Sequence, residues 1–424
     1  MARILALRGG ERAGMRPGRE GIEAVLDAIG HPELAFTIAQ VGGTNGKGSI
    51  SAMLAAALQA AGRRVGLYTS PHLTHYRERI RVDGRPISEA DFVDGVDALG
   101  TLIARLDLTV FEAGTALALD HFCREEVDVA VLEVGLGGRL DATTVGEPRV
   151  VVLGPVDYDH QHELGDTLTL IASEKAAIIR SGAAFSARQD PEAEAVITRR
   201  AALMGVPLAL EGRDLHVTPL GFTLEAQRLH LEGPGWRFPD VACGLLGVYQ
   251  PSNALLAAAA ARELGAAEAA IRTGLRGARW PGRFQVFRRD PLVILDGAHN
   301  PAGARALAAS LRTYFPGRPV TLVIWVMADK DAGGILAALQ PLAAHFVLTA
   351  PANPRAAAPD ALRVHLPAGT RADVARSPRE ALAAAVPEDP RGLVCVAGSL
   401  SLIGDVLAEE GDGQDVLFTA GARC

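Results

Sequence analysis

The segment that most constrains this fold is Gly42-Gly43-Thr44-Asn45-Gly46-Lys47-Gly48-Ser49. Residues 36–41 before it form a short apolar run, which reads as a buried strand. Residues 49–61 after it are rich in alanine and read as a helix, with Gly62 as its stop. A strand, a glycine-rich turn and a helix together make a phosphate cradle. Glycines let backbone N–H groups approach the anion, and the helix N-terminus adds positive potential. Lys47 would neutralise the β- and γ-phosphate charge of ATP, and Ser49 could touch its metal. The strict pattern G-x-x-x-x-G-K-[ST] is not met. Val41 stands where the first glycine belongs, and Gly48 separates Lys47 from Ser49. The flanking strand and helix carry the assignment that the motif alone would not.

The chain is 424 residues long, too long for one ordinary core, so two or three domains are expected. Lysine and arginine total 42 against 49 acidic residues, a net charge of −7, and no long block of like charge stands out. That balance disfavours nucleic acid and anionic membrane as partners. An anionic ligand must be held by local groups. Cys123, Cys243, Cys395 and Cys424 are far apart and form no CxxC, which argues against a metal cage or a disulfide framework and fits a reducing cytoplasm. No uncharged apolar run approaches a membrane span. Residues 1–19 carry five arginines, yet Glu11 and the glycines weaken a transit-peptide reading, and a frayed N-terminus is expected there.

Further strands are expected at 64–69, 128–134 and 150–153, and helices at 168–179 and 252–264. Alternating strands and helices imply a mostly parallel, helix-covered sheet. Residues 214–243 alternate in short stretches broken by glycine and proline, and read as hairpins decorating the first domain. After a break near Trp280-Pro281-Gly282-Arg283 the alternation restarts, with strands at 292–295, 320–326, 346–348 and 393–396 and helices at 302–314, 335–339 and 379–385. The expected architecture is α/β with two domains. Residues 1–287 form an N-terminal P-loop ATPase domain with a small β decoration, and residues 288–424 a C-terminal Rossmann-like α/β domain.

Open α/β sheets bind ligands at the C-terminal ends of their strands. Thr69-Ser70-Pro71-His72, Glu133 and Asp159-His160 all follow expected strands. Phosphoryl transfer uses Mg²⁺, which takes oxygen ligands and water, so Glu133 and Ser70 suit it. His160 is a softer ligand, and taken alone it is more often a hydrogen-bonded structural histidine. Lys175, in Ser173-Glu174-Lys175-Ala176, reads from its spacing as a helix-surface lysine paired with a carboxylate.

The segments GGTNGKGS, GLYTSPHL, RERIRVDG, EVGLGGRLDAT, SEKAAII, WPGRF and LDGAHNP occur in this order. Together they resemble the folylpolyglutamate synthase/dihydrofolate synthase family of the Mur ligase superfamily, over roughly residues 21–405. The resemblance implies an ATP-dependent ligase. The γ-phosphate passes to a carboxylate of dihydropteroate or a reduced folate. The amine of L-glutamate then attacks the acyl phosphate, and ADP and phosphate leave. It also implies two magnesium ions, a monovalent cation such as K⁺, and a monomer.

Carried over by residue, Thr44, Asn45, Gly46, Lys47, Gly48 and Ser49 look like the triphosphate cradle. Ser70, Glu133 and His160 look like the magnesium ligands. Lys175 looks like a carbamylated lysine, which reverses the surface reading. Asn253 looks like the adenine contact, Arg283 a phosphate contact and Asp296 the ribose contact. His299 and Asn300 look like residues of the glutamate side, and Lys47, Lys175, His160 and His299 form the expected catalytic set. Thr109, Phe111, Glu112 and Asp141 resemble pterin-binding positions, although Phe111 could equally be core packing. Thr144, Asp157-Tyr158, Tyr249 and Ala176-Ala177 depart from the family pattern. Two other readings stand beside the ligase. One is a slow ATP-hydrolysing switch, which would not need Arg283 or Asp296. The other is an inactive homologue, which would not need to keep Lys47, Glu133 or Lys175.

Overall fold

A computed structural model describes residues 18–350 and 358–409. The expectation for residues 1–19 falls almost wholly outside that range. The first sheet has eight strands: β1 (Thr37–Gly42), β2 (Val65–Tyr68), β3 (Ile80–Val82), β4 (Arg85–Pro86), β5 (Val129–Glu133), β6 (Pro148–Leu153), β7 (Ala183–Ser186) and β8 (Leu208–Leu210). Their order is β4-β3-β2-β5-β1-β6-β7-β8, and β3 and β4 form an antiparallel edge on an otherwise parallel sheet.

Side-chain alternation divides each central strand between two helical layers. Val129 and Val131 pack into the core shared with the helices Lys47–Ala60, Gln250–Glu263 and Glu268–Gly277. Ala130 and Leu132 face the opposite core, with the helices Glu20–Ala28, Glu89–Leu106 and Val110–Arg124. The Lys47–Ala60 helix is alanine-rich because it lies between the sheet and two further helices. A Cβ on Gly274 would stand 2.3 Å from the Cα of Ala57. Only small residues allow that approach.

Residues 214–243 fold as expected into antiparallel β9 (His216–Phe222), β10 (Gln227–Gly233) and β11 (Trp236–Cys243). Leu229, Leu231, Phe238 and Val241 close the same core. The second large sheet contains β12 (Gln285–Arg289), β13 (Leu292–Leu295), β14 (Val320–Ile324), β15 (Ala343–Leu348), β16 (Ala372–Val374) and β17 (Leu393–Ala397), in the order β12-β13-β17-β14-β15-β16. All its pairs are parallel except β12 with β13. The doubly wound second domain expected from the sequence is therefore present. Position 287/288 falls inside β12, so a division there would cut an edge strand from its own sheet.

Candidate active site

The phosphate loop leaves β1 and enters the Lys47–Ala60 helix through two glycines at positive φ, Gly43 at 126° and Gly46 at 85°. Both positions are closed to side chains. A Cβ on Gly43 would lie 2.9 Å from the Gly154 backbone, and one on Gly46 would lie 2.6 Å from Asn253 Oδ1. Thr44 Oγ1 donates to the Asp157 carbonyl and accepts from the Asp157 N–H, each at 3.0 Å, tying the loop to the turn after β6. Lys47 Nζ donates to the carbonyls of Gly43 and Thr44, each at 3.2 Å, and so curls over its own loop. Burial lowers the Lys47 pKa, against the attraction of Glu133. Ser49 is buried in the first helical turn, where Oγ accepts from Gln250 Nε2 at 3.1 Å. Gln250 Oε1 in turn accepts from Asn253 Nδ2 at 3.0 Å.

One cavity of about 510 Å³ runs from this loop to the second domain. Glu133, at the end of β5, is buried in its wall, and one oxygen accepts from the Ser70 N–H at 3.2 Å. Burial raises its carboxyl to about 7 despite the nearby Lys47 charge. Lys175 is also buried, not a surface lysine. Its Nζ donates to the Gly43 carbonyl at 3.2 Å, and burial followed by repulsion from Lys47 lowers its pKa to about 7.

The second domain contributes its strand ends to the same cavity. Asp296, after β13, accepts from Tyr249 Oη at 2.7 Å and from the N–H groups of Phe284 and Ala298 at 2.9 Å each. Burial raises its pKa. Arg283 is half-buried and donates through Nη1 to the Gly282 carbonyl. His299 Nδ1 donates to the Gly297 carbonyl at 2.8 Å, and burial and the Lys330 charge lower its pKa to about 4, leaving Nε2 as a neutral acceptor. Asn300 Nδ2 donates to Asn45 Oδ1 at 3.1 Å and to Asp159 Oδ2 at 3.0 Å, while its Oδ1 caps the Pro301–Tyr314 helix at Gly303.

Most of the expected site residues are brought together, and four are not. Thr44, Asn45, Gly46, Lys47, Gly48, Ser49, Ser70, Glu133, His160, Lys175, Asn253, Arg283, Asp296 and His299 all line the cavity. Thr109, Phe111, Glu112 and Asp141 do not line it. Thr109 and Glu112 form a reciprocal capping box on the Val110–Arg124 helix, Glu112 Oε2 accepting from the Thr109 N–H and Thr109 Oγ1 from the Glu112 N–H. Phe111 packs against Tyr68, with ring centroids 5.9 Å apart, and against Gly135. Asp141 accepts from the N–H groups of Leu136 and Thr143 and from the Thr143 hydroxyl, and so shapes the loop after β5.

Lys330 is a functional group that the sequence reading missed. Its Nζ lies 2.6 Å from Asp159 Oδ1 and 3.3 Å from His160 Nε2, bridging the two domains. Burial alone would raise the Asp159 carboxyl, but the Lys330 charge holds it well below the usual range. The available signal was positional: Asp329-Lys330-Asp331 follows β14 at a strand end.

Residues 41–261 match the Mur ligase middle domain, and residues 282–400 match the Mur ligase, glutamate ligase domain. The chain is 37% identical over 382 residues to the dihydrofolate synthase/folylpolyglutamate synthase of Mycobacterium tuberculosis, covering 84% of this chain and 78% of that one. It is 38% identical over 408 residues to a probable bifunctional folylpolyglutamate synthase/dihydropteroate synthase of Halobacterium salinarum, and spans about half (49%) of that protein's length. The solved structure of Escherichia coli FolC in complex with DHPP and ADP superposes with a TM-score of 0.88 at 32% identity, over 97% of this chain and 96% of the other. By domain order, fold and extent of similarity, the chain belongs to the folylpolyglutamate synthase/dihydrofolate synthase family of Mur ligases.

Proposed function

We propose that this chain joins L-glutamate to the carboxylate of dihydropteroate or of a reduced folate, at the expense of ATP. The observation that carries this reading is the shared cavity. The phosphate loop and Lys47 line one side, and Asp296 and His299 of the other domain line the opposite side. A switch protein that only hydrolyses ATP needs the first half. A ligase must also bring an amine to an activated acid, which the second half supplies.

The chemistry follows from what each partner lacks. A carboxylate is a poor acylating agent. Its oxygen attacks the γ-phosphorus, the bond to ADP breaks, and an acyl phosphate results. The amine of glutamate then forms the C–N bond as phosphate leaves. Lys47 and the loop N–H groups spread the charge on the transferring phosphoryl group. Neutral His299 Nε2 accepts from the incoming amine and orients it. Enclosure by both domains keeps water from the acyl phosphate.

The donor set fits magnesium. Glu133 is a buried carboxylate with one N–H partner among the described residues, and burial outweighs the Lys47 and Arg283 charges beside it. Magnesium is held by few protein atoms, with water and phosphate completing its shell. Glu133 and the Ser70 hydroxyl would hold it, with His160 as a ligand to a second ion. Bound magnesium would neutralise phosphate charge during transfer.

Lys175 suits carbamylation. A lysine with its pKa near 7 presents a free amine at neutral pH, the form that attacks CO₂. The carbamate, unlike an ammonium, would attract magnesium. The domain division is placed before β12, within residues 279–284. No helix among the described residues is long and apolar enough to cross a membrane. A cytoplasmic monomer remains part of the reading.

Product analysis tests the proposal. The protein is incubated with ATP, Mg²⁺, glutamate and either dihydropteroate or tetrahydrofolate. ADP release that requires both organic substrates is expected. Release that ignores both would overturn the ligase reading.

A further inference from the structure

The domains meet in two chemically different joints, and the Pro301–Tyr314 helix reaches both. At its first turn the joint is polar. Asn300 bonds to Asn45 and Asp159, Lys330 reaches the same aspartate, and Asp157 Oδ2 accepts from Arg305 Nη2 at 3.2 Å. Water replaces each lost partner when such groups part, so the net cost is small. At its last turn the joint is mostly apolar. The helix is 14 residues long, which sets the two joints roughly 20 Å apart at 1.5 Å per residue.

That second joint is made by residues 245–250, which lie in the first domain, ahead of the linker. Neighbouring side chains there enter different cores. Leu245 is buried in the core of the first sheet, and Leu246 in that of the second, with Phe284, Leu311 and Tyr314. Gln227 Nε2, from β10, donates to the Leu245 and Gly247 carbonyls at 2.8 and 3.1 Å. From the second domain, Tyr314 Oη accepts from the Gly247 N–H at 3.3 Å, and Ser310 Oγ from the Val248 N–H at 3.1 Å. Phe222, at the end of β9, covers Tyr314 with ring centroids 4.0 Å apart. Tyr249 and Gln250 then carry the strap to the cavity walls, through Asp296 of the second domain and Ser49 of the first. Opening this joint would expose apolar side chains of both domains at once.

From this contrast we infer that residues 245–250 are the strap on which the domains turn, with Ser310 and Tyr314 as positioning residues that set the angle of the second domain. A turn about the strap moves the polar joint most and the apolar joint least. It needs backbone change at few positions, and Gly247, at φ 112°, already holds a conformation that side chains resist. A Cβ there would stand 3.0 Å from the Tyr249 ring. Because the strap ends on Asp296 and Ser49, its angle fixes how far an amine held by the second domain stands from an acyl phosphate formed at the first. Ser310 and Tyr314 do not line the cavity, so they act on the reaction only through that angle.

The inference deepens the ligase reading and rests on it for its kinetic arm. The 3.1 Å contact between the Val248 N–H and Ser310 Oγ puts the two backbones within reach of a disulfide. Oxidised Val248→Cys/Ser310→Cys is expected to keep activity within about twofold of its reduced form. It should also compact as wild type does in solution scattering when ADP, Mg²⁺ and dihydropteroate are added. A loss of activity or compaction that reductant restores would mean that the strap parts during turnover, and would overturn the inference. Absence of compaction in wild type would overturn it too. Ser310→Ala/Tyr314→Phe loosens the angle and leaves the cavity lining unaltered. Its KM for glutamate is expected to rise about tenfold, with ADP affinity by calorimetry within about twofold of wild type. A lower melting temperature with unchanged KM for glutamate would make these bonds structural only and remove the positioning role. If wild type releases ADP without regard to either organic substrate, the ligase reading fails, and the scattering of the disulfide-tethered protein still decides the pivot.

Discussion

Burial of ionisable groups here costs stability and serves chemistry, and the sign of each cost can be worked out residue by residue. Glu133 has its carboxyl raised to about 7 by burial, above the ordinary value of 4.5. Between those values the native state holds more protons than the unfolded chain, so stability falls as pH rises through that window. Glu133→Gln removes the charge but keeps the shape. Without metal or nucleotide, it is expected to be more stable than wild type by about 1–3 kcal/mol at pH 8, with the gap nearly closed at pH 5. It should also lose its magnesium dependence together with its activity. Urea unfolding at the two pH values checks the first part, and an equal gap at both would place the cost elsewhere. Lys175 carries the opposite sign. Its pKa falls from 10.5 to about 7, so the unfolded chain binds more protons between those values and wild-type stability climbs as pH rises across them. Lys175→Met should therefore gain most over wild type below pH 7 and least near pH 10, in CO₂-free buffer, while being inactive. A gap that widens with pH would refute the assignment of a buried, neutral-leaning amine.

At the scale of elements, the phosphate loop is held by a backbone contact at Gly43 in addition to the Thr44 hydroxyl. Gly43 and Gly62 both sit at positive φ, 126° and 82°, but only Gly43 has a neighbour, the Gly154 backbone, where a Cβ would go; the space at Gly62 is open. Alanine at Gly62 should cost only the backbone strain, on the order of 1 kcal/mol. Alanine at Gly43 should cost more and abolish nucleotide binding, because β1 and the turn after β6 must separate to admit it. Thermal melts with and without ADP compare the two, and equal losses would mean that the contact is not what shapes the loop. The same loop shows what could be read without coordinates. A strand, a glycine turn and an alanine-rich helix are local patterns, and β1 and the Lys47–Ala60 helix follow them to within two or three residues. Thr109 and Glu112 carry a local signal of their own, Thr-x-x-Glu ahead of an apolar run, which is the sequence form of the capping box they make. Lys330 left only its position after β14 as a signal. Its meaning depends on Asp159, 171 positions away, and no pattern within one element reports a pairing between domains.

That pairing decides how the whole molecule behaves. Asn300 alone touches three parts of the machine: Asn45 in the phosphate loop, Asp159 beside His160, and the first turn of the Pro301–Tyr314 helix. Lys330 adds a second link to the same aspartate. Because Asp159 and Asn45 belong to the first domain, these bonds can form only when the domains are close. They can therefore report whether the acyl phosphate is shielded. A ligase whose domains part early still makes the acyl phosphate, but water reaches it before the amine does. Asn300→Ala removes the interdomain bonds to Asn45 and Asp159 and the cap. The cap itself should cost about 1 kcal/mol of stability. The informative loss is in coupling. Wild type is expected to release one phosphate for each amide bond formed. The variant should release several, with little change in KM for ATP, because Lys47 and the loop's own glycines are unaltered. Solution scattering should show the variant less compact than wild type when nucleotide and substrate are bound. If Asn300→Ala slows the reaction yet keeps one phosphate per amide, Asn300 serves the amine and not the closure. The bond to Asn45 would then be a consequence of the closed state rather than part of what holds it.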